Sequence, residues 1–232
     1  MTVSLVTGVG AKGQVGETVA HALGRRGDHI LVVSRNSAEV TERVTELRDA
    51  GIQASGYSCD LSNEEAVAQV AAVVGREHGG RLDNLVNLAG GFALSGAIAE
   101  SDVMVATRMW SINFATAYLA TRAFFPLLAR SGGSIVYFSS ESALENARTK
   151  GLVAYASAKS AVLALMRSVA DEGRSVNVRA NALAPASIRT ASNEASMGSD
   201  VRYVEREDVA DVVGFLCSPA SQAVSGHVIR LS

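Results

Sequence analysis

Residues 155–159 read YASAK. Tyr155 and Lys159 stand four residues apart, so on a helix their side chains share one face. The chain holds five tyrosines and three lysines among 232 residues, and chance alone produces such a pair about 0.06 times. The pair has a definite chemistry. A free phenol ionises near ~10, too high for easy proton exchange at neutral pH. A neighbouring ammonium favours the phenolate and is expected to draw that value down. Tyr155 is then equipped to give a proton to a carbonyl oxygen, or to take one from an alcohol.

A second stretch, VTGVGAKGQVGETVA at 6–20, sets glycines at 8, 10, 13 and 16 between an apolar run and a helical pattern. Strand, glycines and helix together make a diphosphate site. Glycines let the backbone come close, and the helix start offers free N–H groups and a positive dipole end. Gly8, Gly10 and Gly13 match the dinucleotide spacing GxGxxG. The next apolar run ends LVVSRN, with Ser34 and Arg35 and no acid. An acid there would bond the ribose hydroxyls of NAD(H). A hydroxyl and a guanidinium suit a 2′-phosphate instead. NADP(H) is therefore expected in preference to NAD(H).

These residues need a scaffold. Strand-like runs lie at 3–7, 29–34, 54–58, 84–89, 134–139, 176–184 and 227–231, and several are continuously apolar, as buried parallel strands are. Helical patterns lie between them at 15–26, 38–49, 63–78, 101–130, 151–173 and 207–217. In the first, Val15, Val19, Ala22 and Leu23 share a face. Ser62 and Glu65 form a capping-box pattern before the third. The alternation predicts an α/β fold: a Rossmann-like, doubly wound parallel sheet of about seven strands with helices on both faces. No linker or repeat breaks the chain, so 1–232 is read as one NAD(P)-binding domain.

Composition narrows the function classes. Apolar residues make up 48% and charged residues 19%, which argues against disorder. A net charge of −2 leaves no basic footprint for nucleic acid. Cys59 and Cys217 are far apart, the four histidines are scattered, and neither a metal site nor a disulfide is expected. The chain enters a strand-like run at once, without a basic leader or long apolar segment, and a cytoplasmic protein away from membranes is expected.

In order along nearly its whole length, the chain resembles the short-chain dehydrogenase/reductase family. The matching stretches are TG at 7–8, CDLS at 59–62, DNLVNLAGG at 83–91, SINFATAY at 111–118, GSIVYFSS at 133–140, YASAK at 155–159 and NALAPASIRT at 181–190. The resemblance implies roles. Tyr155 would be the general acid/base, and Lys159 would lower its pKa and bond the nicotinamide ribose. Ser140 would hold the substrate oxygen, and Asn113 would position a water in the proton relay. Asp60 and Leu61 would lie at the adenine, Asn87, Ala89 and Gly90 along the cofactor, and Pro185, Ile188 and Thr190 at the nicotinamide. The two long helical stretches, 101–130 and 151–173, would pair across a two-fold axis, giving a homodimer or homotetramer.

Departures from the family pattern qualify the transfer. The family loop reads TGxxxGxG; here VGAKGQVG follows TG, two residues longer. Aligning Ala20 places Val15 and Gly16 in the last pair. Gly8 would then make the tight turn, with Gly13, Gln14 and Val15 near the diphosphate, and Lys12 either reaching a phosphate or solvated. The family commonly sets its serine thirteen residues before the tyrosine, at Ser142; the strand-end pattern favours Ser140. The segment between Thr190 and REDVADVV is short, implying an open substrate pocket or one closed by a partner subunit. Three functions fit: an NADPH-dependent ketone reductase or secondary-alcohol dehydrogenase, favoured by Tyr155–Lys159; an enoyl-thioester reductase, suggested by the longer loop; and a non-catalytic NADP(H)-binding sensor or scaffold.

Overall fold

The computed structural model describes residues 1–232. Seven strands form one sheet: β1 Val3–Thr7, β2 His29–Ser34, β3 Ala54–Ser58, β4 Asn84–Asn87, β5 Ser134–Phe138, β6 Arg179–Pro185 and β7 Val228–Leu231. All pairings are parallel, in the order β3-β2-β1-β4-β5-β6-β7. Helices α1 Val15–Arg25, α2 Ser37–Asp49, α3 Glu64–Glu77, α4 Val103–Trp110, α5 Thr116–Ser131, α6 Val153–Gly173, α7 Ala191–Met197 and α8 Arg206–Leu216 connect them.

Alternation along each strand sorts side chains between two cores. Leu5, Leu31, Leu85 and Ile135 face α3, α5 and α6. Val6, Val32, Val86 and Val136 face α1, α2 and α8. Strands buried on both faces are apolar at most positions, which explains the continuous runs. The chain builds outward from β1 to β3, then crosses back to β4 on the other side. That reversal opens a crevice at the C-terminal ends of β1 and β4, where ligands bind in such sheets.

The expected architecture is present, with differences of detail. The stretch 101–130 is not one regular helix. A π-helical turn at Ser111–Ala115 separates α4 from α5, and α5 ends at the left-handed Gly132. The strand expected from 176 begins only at Arg179, because residues 174–176 close a 3-10 turn and Asn177 is left-handed. The strand expected to reach 89 stops at Asn87. Asn63 rather than Ser62 caps α3, accepting from the Ala66 N–H at 3.0 Å, while Ser62 turns back to Asp60. Cys59 and Cys217 are buried free thiols, and burial pushes Cys217 up to about 12. No helix is long and apolar enough to cross a membrane.

Candidate active site

The site lies where β5 hands the chain to the loop before α6. Lys159 is on the second turn of α6 and is 6% exposed. Its Nζ donates to the Phe138 carbonyl at the end of β5, 2.9 Å away. The Ser139 hydroxyl donates to the Lys159 carbonyl at 2.9 Å, so strand end and helix are tied in both directions. Burial disfavours the ammonium and pulls Lys159 down to about 8.

Tyr155 lies one turn earlier, with the Lys159 Nζ 5.8 Å from its ring centre. The Phe92 ring stands nearly perpendicular to it, with ring centres 5.1 Å apart. Here the sequence expectation needs correction. Tyr155 is raised above an ordinary phenol, because burial disfavours the phenolate; the nearby Ser140 hydroxyl only partly offsets this. The lysine is held on a strand carbonyl beside the ring instead of on the hydroxyl, so in this state Tyr155 keeps its proton.

Ser140 Oγ accepts from the Ser142 N–H at 3.2 Å and from the Ser142 hydroxyl at 3.1 Å. Its own proton remains to point into the site. Ser142 stands behind Ser140 as a support, and Ser140 is the serine beside Tyr155.

Asn113 is buried in the π turn. Its Oδ1 accepts from the Gly91 N–H at 3.1 Å, and its Nδ2 donates to the Gly91 carbonyl at 2.9 Å and the Met109 carbonyl at 3.0 Å. The side chain therefore clamps the loop after β4 to the helix. A side-chain carbon on Gly90 would sit 2.5 Å from Asn113 Oδ1 and 3.4 Å from Lys159 Nζ. Only glycine fits there, and the lysine protons and the second Oδ1 lone pair border one small space.

The glycine loop is tightly folded. Gly8 has φ +76°, and a Cβ on it would lie 2.9 Å from the Ala89 backbone. A Cβ on Gly16 would lie 2.7 Å from the Gly8 carbonyl oxygen, so Gly16 lets α1 close onto the strand end. Thr7 accepts from the Leu88 and Ala89 N–H groups at 3.0 and 3.1 Å and donates to Val86 at 3.2 Å, joining the two sides of the crevice. The sequence reading gave Thr7 no such role. Gln14 precedes α1 without a side-chain cap bond, so the first-turn N–H groups beginning at Val15 are not capped from that side. The Gly13 N–H is taken by Glu17 Oε2 at 2.6 Å. Lys12 reaches Glu46 at 3.6 Å on α2.

At the other end of the crevice, Ser34 closes β2 and Arg35 is exposed and in no ion pair. Asp60 is nearby; bonds from Ser62, then the Arg35 charge, hold its carboxyl below the usual range. Leu61 is buried in the core beneath. Asn87 turns away from the crevice: its Nδ2 donates to Thr121 at 3.1 Å, and its Oδ1 is buried without a partner. Across the opening, Pro185 ends β6, Ile188 pairs with Val204, and Thr190 caps α7 through the Asn193 N–H at 3.1 Å. The Ala191 N–H meets the Gly13 carbonyl at 3.4 Å, and Ser192 meets Gln14 at 3.3 Å, so this short segment leans on the glycine loop.

These residues suit a nicotinamide dinucleotide: glycines at positions where a side chain would fill the cradle, a helix start without a side-chain cap, and an exposed guanidinium just past the end of β2. A dinucleotide crevice with a Tyr–Lys pair at its mouth defines a nicotinamide-dependent oxidoreductase. The chain belongs to the short-chain dehydrogenase/reductase family: the short chain dehydrogenase family model matches residues 2–199. It is 31% identical to a tropinone reductase homolog from Arabidopsis thaliana, across 97% of this chain and 87% of the relative. It is 27% identical to 7alpha-hydroxysteroid dehydrogenase from Escherichia coli K12, across 99% and 92%. A solved short-chain type dehydrogenase/reductase from Mycobacterium ulcerans aligns at TM-score 0.87 and 32% identity, covering 99% of this chain and 87% of that one. Actinorhodin polyketide ketoreductase, solved with NADPH, aligns at TM-score 0.87 and 25% identity, covering 99% and 95%.

Proposed function

We propose that the protein is an NADPH-dependent reductase of a ketone, or in reverse an oxidant of a secondary alcohol, with Tyr155 as general acid/base. The observation that carries this is the meeting of Tyr155, Ser140 and Lys159 at one strand end. Bound nicotinamide supplies the hydride for the carbonyl carbon. Ser140 directs its free proton to the substrate oxygen. Tyr155, kept protonated by burial, gives its proton to that oxygen as charge develops there. Lys159 then faces a nascent phenolate and stabilises it, its two remaining protons serving the ribose or a water shared with Asn113 Oδ1. Phe92 packs against the Tyr155 ring and limits its swing.

NADPH is preferred in this reading because Arg35 is a free guanidinium beside Ser34, matched to a 2′-phosphate. Val103, Met104, Trp110 and Tyr118 are exposed along α4 and α5. That apolar face supports a homodimer or homotetramer; the reading further assigns a small carbonyl substrate and a cytoplasmic location. The test is a fluorescence titration with NADPH and NADH on wild type and Arg35→Ala, followed by a ketone panel with Tyr155→Phe. Arg35→Ala is expected to weaken NADPH by roughly tenfold or more and leave NADH nearly unchanged. Tyr155→Phe is expected to bind NADPH normally and lose about 100-fold or more in turnover. Equal loss of both cofactors in Arg35→Ala, or turnover surviving in Tyr155→Phe, refutes the assignment.

A further inference from the structure

Arg43 lies on α2, away from the reacting groups, yet it is 2% exposed on its side chain. A buried guanidinium is costly unless it is paired. Here three carboxylates surround it: Glu42 at 2.5 Å, Glu46 at 2.8 Å and Glu17 at 3.5 Å. Two of the three lead to the glycine loop. Glu17 holds Arg43 with Oε1 and accepts the Gly13 N–H with Oε2 at 2.6 Å. Glu46 pairs with Arg43 through Oε2 and with Lys12 through Oε1 at 3.6 Å. Consecutive loop residues, 12 and 13, are thus tied to α2 through carboxylates that share one buried cation.

We propose that Arg43 and Glu17 are positioning residues of the cofactor loop. Arg43 orients the Glu17 carboxylate, which fixes the Gly13 peptide and so aims the start of α1 at the dinucleotide diphosphate. The inference rests on residues 8–16 being the cofactor loop. It accounts for the two extra residues there. A longer loop around a glycine at φ +74° has more conformations to lose on binding, and a tether removes them beforehand. It also assigns the N–H groups. With Gly13 engaged by Glu17, the diphosphate falls to the N–H groups that follow, from Gln14 onward. A packing role alone would be served as well by an apolar side chain of Arg43's length.

The test is fluorescence titration with NADPH and with NADH, alongside thermal melts, on wild type, Glu17→Gln, Arg43→Met and the double variant. The diphosphate is common to both cofactors, so each single variant is expected to weaken both by the same factor, roughly tenfold, as for one charge-assisted hydrogen bond lost. The double variant is expected to be no weaker than the worse single one, since the two residues act through one contact. Glu17→Gln keeps the side chain's shape and carries the test if Arg43→Met does not fold. Folded variants with wild-type affinity overturn the inference while leaving the cofactor reading intact, and so does a change in melting temperature alone. Wild type that binds neither cofactor overturns both.

Discussion

Replacing Lys159 with methionine isolates the cost of the buried ammonium. The folded value of about 8 lies below the 10.5 of a free lysine, and burial is the cause. Between those two values the unfolded chain holds a proton that the folded chain has released. Unfolding free energy therefore rises with pH through that window. The penalty is full below about pH 8 and is relieved as pH climbs to about 10.5. At ~1.4 kcal/mol per pH unit, that gap corresponds to ~3 kcal/mol. Methionine carries no such penalty, but it leaves the Phe138 carbonyl without its 2.9 Å donor, a loss of about 1–3 kcal/mol. The two effects oppose each other near neutrality, so wild type and Lys159→Met should be of similar stability there. By about pH 10 wild type should lead by most of ~3 kcal/mol. Urea unfolding followed by circular dichroism across that range, without cofactor, measures the difference. Titrations of groups remote from residue 159 are common to both proteins and cancel. A difference that stays flat with pH means that the lysine is not buried as a cation beside Tyr155, and its part in the proton transfer then falls.

Asn113→Ala removes three hydrogen bonds, two that clamp Gly91 to the π turn and one to the Met109 carbonyl, and is expected to cost about 2–3 kcal/mol in urea unfolding and to lower turnover more than cofactor affinity. Full activity in that variant would show that the clamp is dispensable. Gly8→Ala places a carbon 2.9 Å from the Ala89 backbone at a left-handed φ, and is expected to lose about 1–3 kcal/mol of stability together with dinucleotide binding. Unchanged affinity by cofactor fluorescence would mean that this turn does not shape the cradle.

The architecture was legible because its signals are local. Continuous apolar runs mark strands covered on both faces, and 3.6-residue periods mark the helices between them. Tyr155 and Lys159 are four residues apart whatever the rest of the chain does, and the alignment that put Val15 and Gly16 last in the loop agrees with Gly16 closing on Gly8. What the sequence could not decide depends on groups remote along the chain. The local pattern pointed to Ser62 as the cap of α3; in the fold Ser62 bonds Asp60 and Asn63 caps the helix instead. The π turn is invisible to a helical period, yet it sets Asn113 against Gly91, 22 residues earlier. The bond from the Gly13 N–H to Glu17, itself held by an arginine 26 residues further on, has no local signal either. The proton on Tyr155 belongs to the same group. Type and spacing predicted a lowered pKa from the neighbouring charge. The fold decided the opposite sign, because burying the phenol outweighs the help of the neighbouring Ser140 hydroxyl, and only the packed structure determines how much water each group loses.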